Sequence, residues 1–391
     1  MSWKVSDVMS QRMEFVSLAS VEGANFAELC RRYEVSRKTG YKWLQRYRQH
    51  GQAGLEEQSR KPLASPLRTV ETIERLVLDV REEHPAWGGR KIRARLLALG
   101  HSKLPAVSTI TEILRRHGRI TPEATFARQH YRSFERATPN DLWQIDFKGE
   151  VTMSNKQDCY PLTIVDDHSR YLVCLQACPG PDLDTVKQRL TAVFQRYGLP
   201  QSLYCDNGPP WGSVNSPLGH TRLTAWLMRH DVEVIHGRPY HPQGRGKEER
   251  FHRTLVDELL QGHVLADFED AQAKFDPFRE MYNHVRPHEA LEMHVPASRY
   301  AMSPRPFQSE LPEFIYPDHF ECRCTNPQGQ FQFKTRTIKT SEAFSRQTIG
   351  LAPTNETHLW NVYFCHFHIG QLDLNDAIPR IKSKRSKTEA Q

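Results

Sequence analysis

Three carboxylates, each at a defined point of a predicted strand or helix, constrain the fold of this chain most strongly. Asp146 ends the run Leu-Trp-Gln-Ile, and Asp206 ends the run Ser-Leu-Tyr-Cys. Glu249 lies in a stretch typical of a helix, which follows a Pro-Gln-Gly turn. Two aspartates at strand ends and a glutamate on a helix suit a site for two divalent metal ions. Such a site clamps the attacking and the leaving oxygen in phosphoryl transfer.

Strands and helices alternate around these acids. Short runs rich in apolar residues predict strands at 142–151, 160–165, 171–177, 202–205 and 233–236. Helical periodicity predicts helices at 184–197, 223–230, 246–260 and 271–283. Three meandering strands followed by helix-flanked strands indicate an α/β layer with helices on both faces.

The first 50 residues show a helix-turn-helix pattern. A short amphipathic helix over 26–33 precedes a turn at Glu34-Val35, and Ser36 can cap the next helix. In this motif the first residues of the second helix meet base edges in the major groove. The alternative is a plain helical pair with a solvated basic face. The candidate DNA contacts are Ser36, Arg37, Lys38, Tyr41 and Lys42.

A second helical unit is predicted between Thr69 and Ile120. It has a helix over 71–83, a helix that opens near Trp87, and a helix over 108–118 with Ser108 as its cap. Three short helices ending in arginines suggest a second DNA-binding unit. The alternative is a connector bundle with an arginine-rich face. The candidate DNA contacts are Arg90, Lys91, Arg115 and Arg116.

Charge is divided unevenly along the 391 residues. Residues 1–138 carry 25 Lys and Arg against 15 Asp and Glu, whereas residues 139–310 carry 18 against 23. A basic part suits a phosphate backbone, while an acidic part needs metal ions before it can approach one. No apolar run reaches the roughly 20 residues that span a bilayer, and no signal peptide is evident. We therefore expect a cytoplasmic protein with no membrane partner.

The C-terminal part shows alternating segments at 331–338 and 359–364, split by turn-forming residues. They predict a small antiparallel β-barrel over 310–378, followed by a disordered basic tail over 379–391. The alternative to ordinary packing of the nearby cysteines is a zinc cluster of Cys322, Cys324, Cys365, His366 and His368. The other predicted domains are 1–60 and 66–120 for the two DNA-binding units, 121–138 for a linker and 139–300 for the core.

Several motifs together resemble those of retroviral integrases and bacterial insertion-sequence transposases. They are Trp-Gln-Ile-Asp-Phe ending at Phe147, Asp-Asn-Gly at 206–208, His241-Pro-Gln, Gly-Lys-Glu-Glu-Arg-Phe-His-Arg at 246–253, Tyr282-Asn with Arg286-Pro-His, and Trp87-Gly-x-Arg-Lys-Ile. The resemblance implies a multidomain DDE-type transposase. Its parts would be helix-turn-helix heads, a ribonuclease-H-like core with a mixed five-stranded sheet, and a small C-terminal β-barrel.

The resemblance maps the catalytic Asp, Asp and Glu of that family onto Asp146, Asp206 and Glu249. It implies two Mg²⁺ or Mn²⁺ ions per active site, held by these three residues. Glu248 is the rival third ligand, about 100° round the helix, and it replaces an apolar residue usual in the family. The interval between Asp206 and Glu249 is also longer than the family's usual one, at 42 residues. The excess is assigned to the loop 209–221.

Three further residues of the same helix are candidate DNA contacts. His252 and Arg253 lie three and four residues after Glu249, on the same helix face, where they could hold a phosphate. Lys247 adds a cation near the start of the helix.

The expected function is DNA transposition by metal-dependent cleavage and strand transfer. The implied partners are double-stranded DNA, as terminal inverted repeats and as target, and further copies of the chain in a dimer or larger oligomer on paired ends. In a bacterial cell the protein would be nucleoid-associated while bound. The alternatives are a catalytically inactive DNA-binding regulator and a ribonuclease-H-like nuclease that only hydrolyses.

Overall fold

The computed structural model describes residues 8–57, 68–120, 135–212, 218–237, 246–377 and 380–382. It divides into two compact units, Met1–Arg68 and Thr69–Gln391. The His241-Pro-Gln motif, most of the predicted linker and nearly all of the predicted tail lie outside the described residues. No helix in the described ranges is long and apolar enough to cross a membrane.

The first unit is a three-helix head with the predicted helix-turn-helix. Glu34 in the turn has a left-handed backbone, and the Ser36 hydroxyl accepts a hydrogen bond from Thr39 N, so the predicted cap is confirmed. A side chain at Gly40 would come within 2.9 Å of Cys30 Sγ, so glycine lets the third helix pack closely. The helices are α1 Val8–Ala19, α2 Phe26–Arg32 and α3 Arg37–His50.

The second unit begins with three more helices around a core that includes Trp87, Ile92 and Ile110. The predicted cap at Ser108 is wrong, because the last helix begins one residue earlier and follows Ala106 without a side-chain cap. Gly118, with a φ of 68°, ends it as predicted. The helices are α4 Glu71–Glu83, α5 Gly89–Ala98 and α6 Val107–Arg116.

A mixed sheet forms the centre of the second unit. The main strand order is β4-β3-β1-β5-β6, with the two-residue β2 added beside β3. β3 pairs antiparallel with β1 and β4, whereas β1, β5 and β6 run parallel. The strands are β1 Leu142–Phe147, β2 Val151–Thr152, β3 Asp158–Asp166, β4 Leu172–Cys178, β5 Ser202–Cys205 and β6 Glu233–His236.

Helices cover both faces of this sheet, as predicted. Side chains such as Trp143 and Ile145 pack with α7 and α8 on one face. Val165 and Leu175 pack with α9 and α10 on the other. The helices are α7 Leu183–Tyr197, α8 Arg222–Arg229, α9 Gly246–Leu255, which continues as a π-helix over Val256–Leu260, and α10 Phe268–His284.

The predicted strand over 142–151 is broken in two. β1 ends at Phe147, and Gly149 has a φ of 96°, which turns the chain before β2 begins. The first catalytic candidate therefore lies one residue before the end of its strand.

The C-terminal part is antiparallel, as predicted, but the described residues form no closed barrel. β13-β12-β11-β10-β7 make one sheet and β8-β9 a separate hairpin. Lys334 and Thr335, predicted within strands, both have left-handed backbones and form the hairpin turn. The strands are β7 Glu321–Cys324, β8 Gln330–Phe333, β9 Arg336–Lys339, β10 Thr348–Pro353, β11 Leu359–Phe364, β12 Phe367–Asp373 and β13 Ile381–Lys382.

Candidate catalytic site

The parallel pairing of β1 and β5 brings the two aspartates to the same end of the sheet. Leu142 lies opposite Ser202 and Gln144 opposite Tyr204. Asp146 lies near the end of β1, and Asp206 is the first residue after β5. Neighbouring strands lie about 4.8 Å apart, so the two acids start from adjacent backbone positions.

Asp146 points to the sheet face that carries α9. Its neighbour Ile145 packs on the α7–α8 face, and alternation along the strand turns Asp146 to the other side. Phe251 and Leu255 of α9 are buried on that other face. The helix with the candidate glutamate therefore covers the face from which Asp146 projects.

A buried threonine joins this helix to β1. Thr163 on β3 lies directly opposite Asp146 in the antiparallel register, and its hydroxyl donates to Asp146 O at 3.0 Å. The same hydroxyl oxygen lies 2.9 Å from His252 Nε2 on α9, from which it can accept a hydrogen bond. Glu249 lies about one helical turn before His252. The contact that fixes His252 against the sheet therefore also fixes where Glu249 lies relative to the sheet. Thr163 was not predicted from the sequence, because a threonine inside a strand looks like any other strand residue until its partners are known.

His252 is a half-buried imidazole that is neutral at physiological pH. Burial, with the positive charge of Lys148, lowers the pKa of His252 to about 4. A phosphate contact from this residue would therefore be a neutral hydrogen bond. Arg253 is exposed at the helix surface.

Lys247 is held in a buried ion pair. Its Nζ lies 2.6 Å from Asp167 Oδ1 and donates to Asp167 O at 3.0 Å. Asp167, which is fully buried, also accepts from Gln144 Nε2 and Arg136 N. Burial, followed by repulsion from Arg170, lowers the pKa of Lys247 to about 8. The pair fastens the start of α9 to the β3–β4 turn, a role that the charge pattern did not reveal.

The two neighbouring glutamates differ in exposure. Glu248 is only 2% exposed, whereas Glu249 is exposed to solvent. An ion entering from solvent reaches Glu249 more readily, which favours it over Glu248 as the third ligand.

Hydrogen bonds orient both aspartates. Asp146 Oδ1 accepts from Phe147 N at 2.9 Å, and Asp206 Oδ1 accepts from Gly208 N at 3.1 Å. His236 Nδ1 lies 2.9 Å from Asp206 O and holds the backbone there. Within the described ranges, no three His, Cys, Asp or Glu side chains are close enough together to hold a metal ion. In that part of the chain, neither the three acids nor the C-terminal cysteines and histidines form such a group.

The candidate DNA contacts of the first head share one exposed surface. Arg37 and Lys38 open α3, and Lys42 follows about one turn later with its Nζ 4.2 Å from the centre of the Trp43 ring. All five predicted residues of this head are exposed: Ser36, Arg37, Lys38, Tyr41 and Lys42.

The candidate contacts of the second helical unit lie beside carboxylates. Arg116 pairs with the buried Glu74 at 2.7 Å. Arg115 pairs with the exposed Glu112, one turn before it on α6. Arg90 lies 3.9 Å from Glu289, and Lys91 lies 3.3 Å from Glu258. Their role in DNA binding stays a prediction.

Glu258 is the centre of a buried polar cluster that was not predicted from the sequence. It accepts three hydrogen bonds from Arg286, at 2.8–3.0 Å, one from Trp87 Nε1 and one from Lys91. The cluster joins the π-helix after α9 to α5 and to the segment after α10. Trp87 and Arg286 both belong to the motifs of the family resemblance, which was the available signal.

Comparison with known protein families supplies the identity. Residues 136–242 match an integrase core domain, and residues 230–296 match a second family of the same description. Residues 11–62 match a helix-turn-helix domain and residues 39–114 a homeodomain-like domain. Residues 321–378 match the C-terminal domain of IS481 family transposases. The chain belongs to the insertion-sequence transposases with an integrase-like core.

Individual relatives agree with this family. The transposase is 24% identical to the uncharacterized 39.2 kDa protein of insertion element IS476 from Xanthomonas euvesicatoria, over 66% of this chain and 72% of the relative. It is 28% identical to the uncharacterized 31.7 kDa protein of insertion element IS407 from Burkholderia multivorans, over 41% of this chain and 54% of the relative.

Solved structures of viral integrases are also similar. A chain of the simian T-cell lymphotropic virus intasome aligns with a TM-score of 0.34 and 14% identity, over 79% of this chain and 96% of that one. The catalytic core of HTLV-2 integrase, solved in complex with magnesium, aligns with a TM-score of 0.31 and 13% identity, over 42% of this chain and 99% of that one.

The family matches confirm the predicted helix-turn-helix heads, the integrase-like core and the transposase family. The transposase is thus a DNA-binding member of the polynucleotidyl transferases.

Proposed function

We propose that this transposase binds the terminal inverted repeats of its mobile element and catalyses metal-dependent strand cleavage and strand transfer. Asp146, Asp206 and Glu249 are its proposed metal ligands. The observation that carries the proposal is the parallel pairing of β1 with β5, which brings the two aspartates to the same end of the sheet. The helix that bears the glutamate packs on the face toward which Asp146 points.

The donor set suits magnesium or manganese. All three residues offer carboxylate oxygens, which hard divalent cations prefer, and both aspartates are already oriented by backbone N–H groups. Two Mg²⁺ or Mn²⁺ ions, when bound, would activate the attacking oxygen and stabilise the leaving oxygen. Bringing three carboxylates together requires a cation to offset their mutual repulsion, so activity should depend on the added metal ion.

The surrounding residues position the chemistry. The Thr163–His252 contact and the Lys247–Asp167 pair hold α9 against the sheet on both sides of Glu249, so they fix the position of the helix segment that bears it. In the proposed first step water attacks the phosphorus at the element end, the P–O3′ bond breaks and the 3′ oxygen takes a proton. In the second step that 3′-hydroxyl attacks a target phosphorus, the target's P–O3′ bond breaks, and the departing target 3′ oxygen takes up a proton to replace the one that the attacking hydroxyl loses. No covalent protein–DNA bond is needed, so no Ser or Tyr nucleophile is assigned.

The test is a strand-transfer assay on the purified full chain. A target plasmid and linear DNA carrying the gene's own flanks are incubated with Mg²⁺, Mn²⁺ or EDTA. We expect joined product with either metal ion and none with EDTA. Nicking without joining would support the hydrolytic nuclease, and binding alone would support the inactive regulator; the family does not favour either. Crosslinking on paired ends tests the proposed dimer or larger oligomer.

The first head supplies a separate prediction on DNA recognition. Replacing Arg37 or Lys42 by alanine is expected to weaken binding to the element end by about 1–3 kcal/mol, or about 5- to 150-fold, if the side chain contacts a base. Competition binding against unrelated duplex measures the loss. Arg48→Ala, also exposed but at the other end of α3, is the control and should leave the sequence preference unchanged. Equal losses on both duplexes would contradict base recognition by these residues.

A further inference from the structure

One side of α8 carries a stripe of basic and aromatic side chains. Arg222, Trp226 and Arg229 are spaced four and three residues apart, so they lie along the same side of the helix. The adjacent residues Ala225 and Met228 are buried in a hydrophobic cluster shared with the C-terminal sheet. This cluster fixes α8 against that sheet, so the groove between them has a defined shape.

The other walls of the groove add two more cations. Lys187 on α7 brings its Nζ to 5.6 Å from the centre of the Trp226 ring. Arg346, just before β10, lines the opposite wall with a left-handed backbone at a φ of 55°. Such a conformation is rare in a residue other than glycine and persists where the surroundings enforce it, often at ligand sites.

The charge in this groove is largely uncompensated. Its lining includes Lys187, Arg222, Arg229 and Arg346 but a single carboxylate, Glu342. Across the described ranges, no ion pair joins any of the four cations to an acid. Here they differ from the arginines of α6, which are paired with glutamates.

The start of α8 contacts the loop that follows Asp206. Thr221 caps α8, and its hydroxyl donates to Pro210 O at 2.8 Å. Pro210 lies only four residues after Asp206 along the chain. Because α8 covers the sheet face opposite α9, a duplex would reach Arg222 from the acids by passing over the end of the sheet where this loop lies.

We propose that this groove binds the sugar-phosphate backbone of duplex DNA without recognising its sequence. The inference rests on the proposed function, since it supplies a path for DNA that enters or leaves the catalytic site. Cations set along a groove suit a chain of phosphates, because each neutralised phosphate releases a counterion and the binding becomes steeply salt-dependent.

The test measures the salt dependence of binding in EDTA, so it does not require catalysis. The full chain is compared with a variant carrying Lys187→Gln, Arg222→Gln and Arg346→Gln. Arg229 is kept, because it donates to Pro312 O and supports the fold. The slope of log affinity against log salt should fall by about 2 to 3, close to 0.9 for each lost phosphate contact.

Two controls accompany the variant. Arg196→Gln removes an exposed cation from α7 nine residues after Lys187, about half a turn round the helix, and should leave the slope unchanged. Glu342→Gln removes the one carboxylate that the described residues bring to the groove and should strengthen binding. The expected effects differ: Arg196→Gln should have none, and Glu342→Gln should strengthen binding. A general loss of folding would weaken binding in every variant and cannot produce this pattern.

Two duplexes identify the source of the bound backbone. A smaller slope only on duplex without element ends assigns the groove to target DNA, and a smaller slope only on duplex with ends assigns it to element DNA. A smaller slope on both supports a general backbone groove. Unchanged slopes on both duplexes, with Glu342→Gln also neutral, would overturn the inference whatever the catalytic assay shows.

Discussion

Replacing Asp146 or Asp206 by asparagine, or Glu249 by glutamine, is expected to abolish cleavage and strand transfer while leaving binding to the element end intact. Each change removes one charged group of the proposed metal site and keeps the shape of the side chain. Loss of an outer-shell partner alone costs about 10- to 100-fold in activity or metal affinity, so loss of a direct ligand should exceed about 100-fold. The measurement is single-turnover cleavage of labelled end DNA in Mg²⁺, with binding followed in parallel.

The neighbouring Glu248 provides the matched control. Glu248→Gln makes the same chemical change one position earlier on α9, at a buried side chain. We expect it to retain metal-dependent cleavage, with its effect confined to stability. If Glu248→Gln abolished cleavage and Glu249→Gln did not, the third ligand would be Glu248 and the helix would have to rotate relative to its present position. If the amide variants at all three acids still cleaved DNA, the assignment of these residues as the metal site would be wrong.

The elements around this site could be predicted because each is dictated locally. The segment Glu233–His236 is short, has Val and Ile at its centre and is followed by Gly237, and it forms a strand with the predicted limits. The acid after Cys205 could be placed at a strand end because a short run with apolar residues precedes it. The register between β1 and β5 could not be predicted, because it depends on pairing between strands 60 residues apart.

The roles of the charged residues were less predictable. Lys247 lies in a stretch rich in Lys, Glu and Arg, which indicates an exposed surface or a DNA contact. Its partner Asp167 is 80 residues away, and only the packing of α9 on the sheet brings the two together. Lys334 and Thr335 show the converse, since alternation continues through them although both occupy a turn. Neither a charge pattern nor an alternation pattern shows which residue distant in the chain will contact a given side chain.

Removing the carboxylate of Glu258 is expected to destabilise the second unit more than the loss of any exposed ion pair. Arg286 donates three hydrogen bonds to it, and both side chains are only 8% exposed. Breaking a buried pair by removing one partner costs about 3–5 kcal/mol, because the other charge is left buried without compensation. Glu258→Ala leaves Arg286 and Lys91 in that state. Urea unfolding of the full chain measures the free energy of unfolding.

The control for this change is Glu280→Gln on α10. Glu280 is about half exposed and lies 3.5–3.6 Å from Arg279 and His284. Exposed pairs of this kind contribute about 0–1 kcal/mol, so Glu280→Gln should shift the free energy of unfolding by less than about 1 kcal/mol. Equal effects at Glu258 and Glu280 would contradict the assignment of Glu258 as the centre of a buried charge cluster.

The stabilisation by Glu258 should also depend on pH in one direction. Burial alone would raise its pKa, but hydrogen bonds and charge from Arg286, together with Lys91, outweigh burial and lower the pKa below its ordinary value. A carboxyl whose pKa is lower in the folded than in the unfolded state stabilises the fold above the unfolded pKa, about 4.3 for glutamate. That contribution is lost as the pH falls through the lowered value. The difference in unfolding free energy between the parent chain and Glu258→Gln should therefore be constant near neutral pH and shrink below about pH 4. A difference that grew on acidification would show that Arg286 does not hold this carboxylate in its charged form.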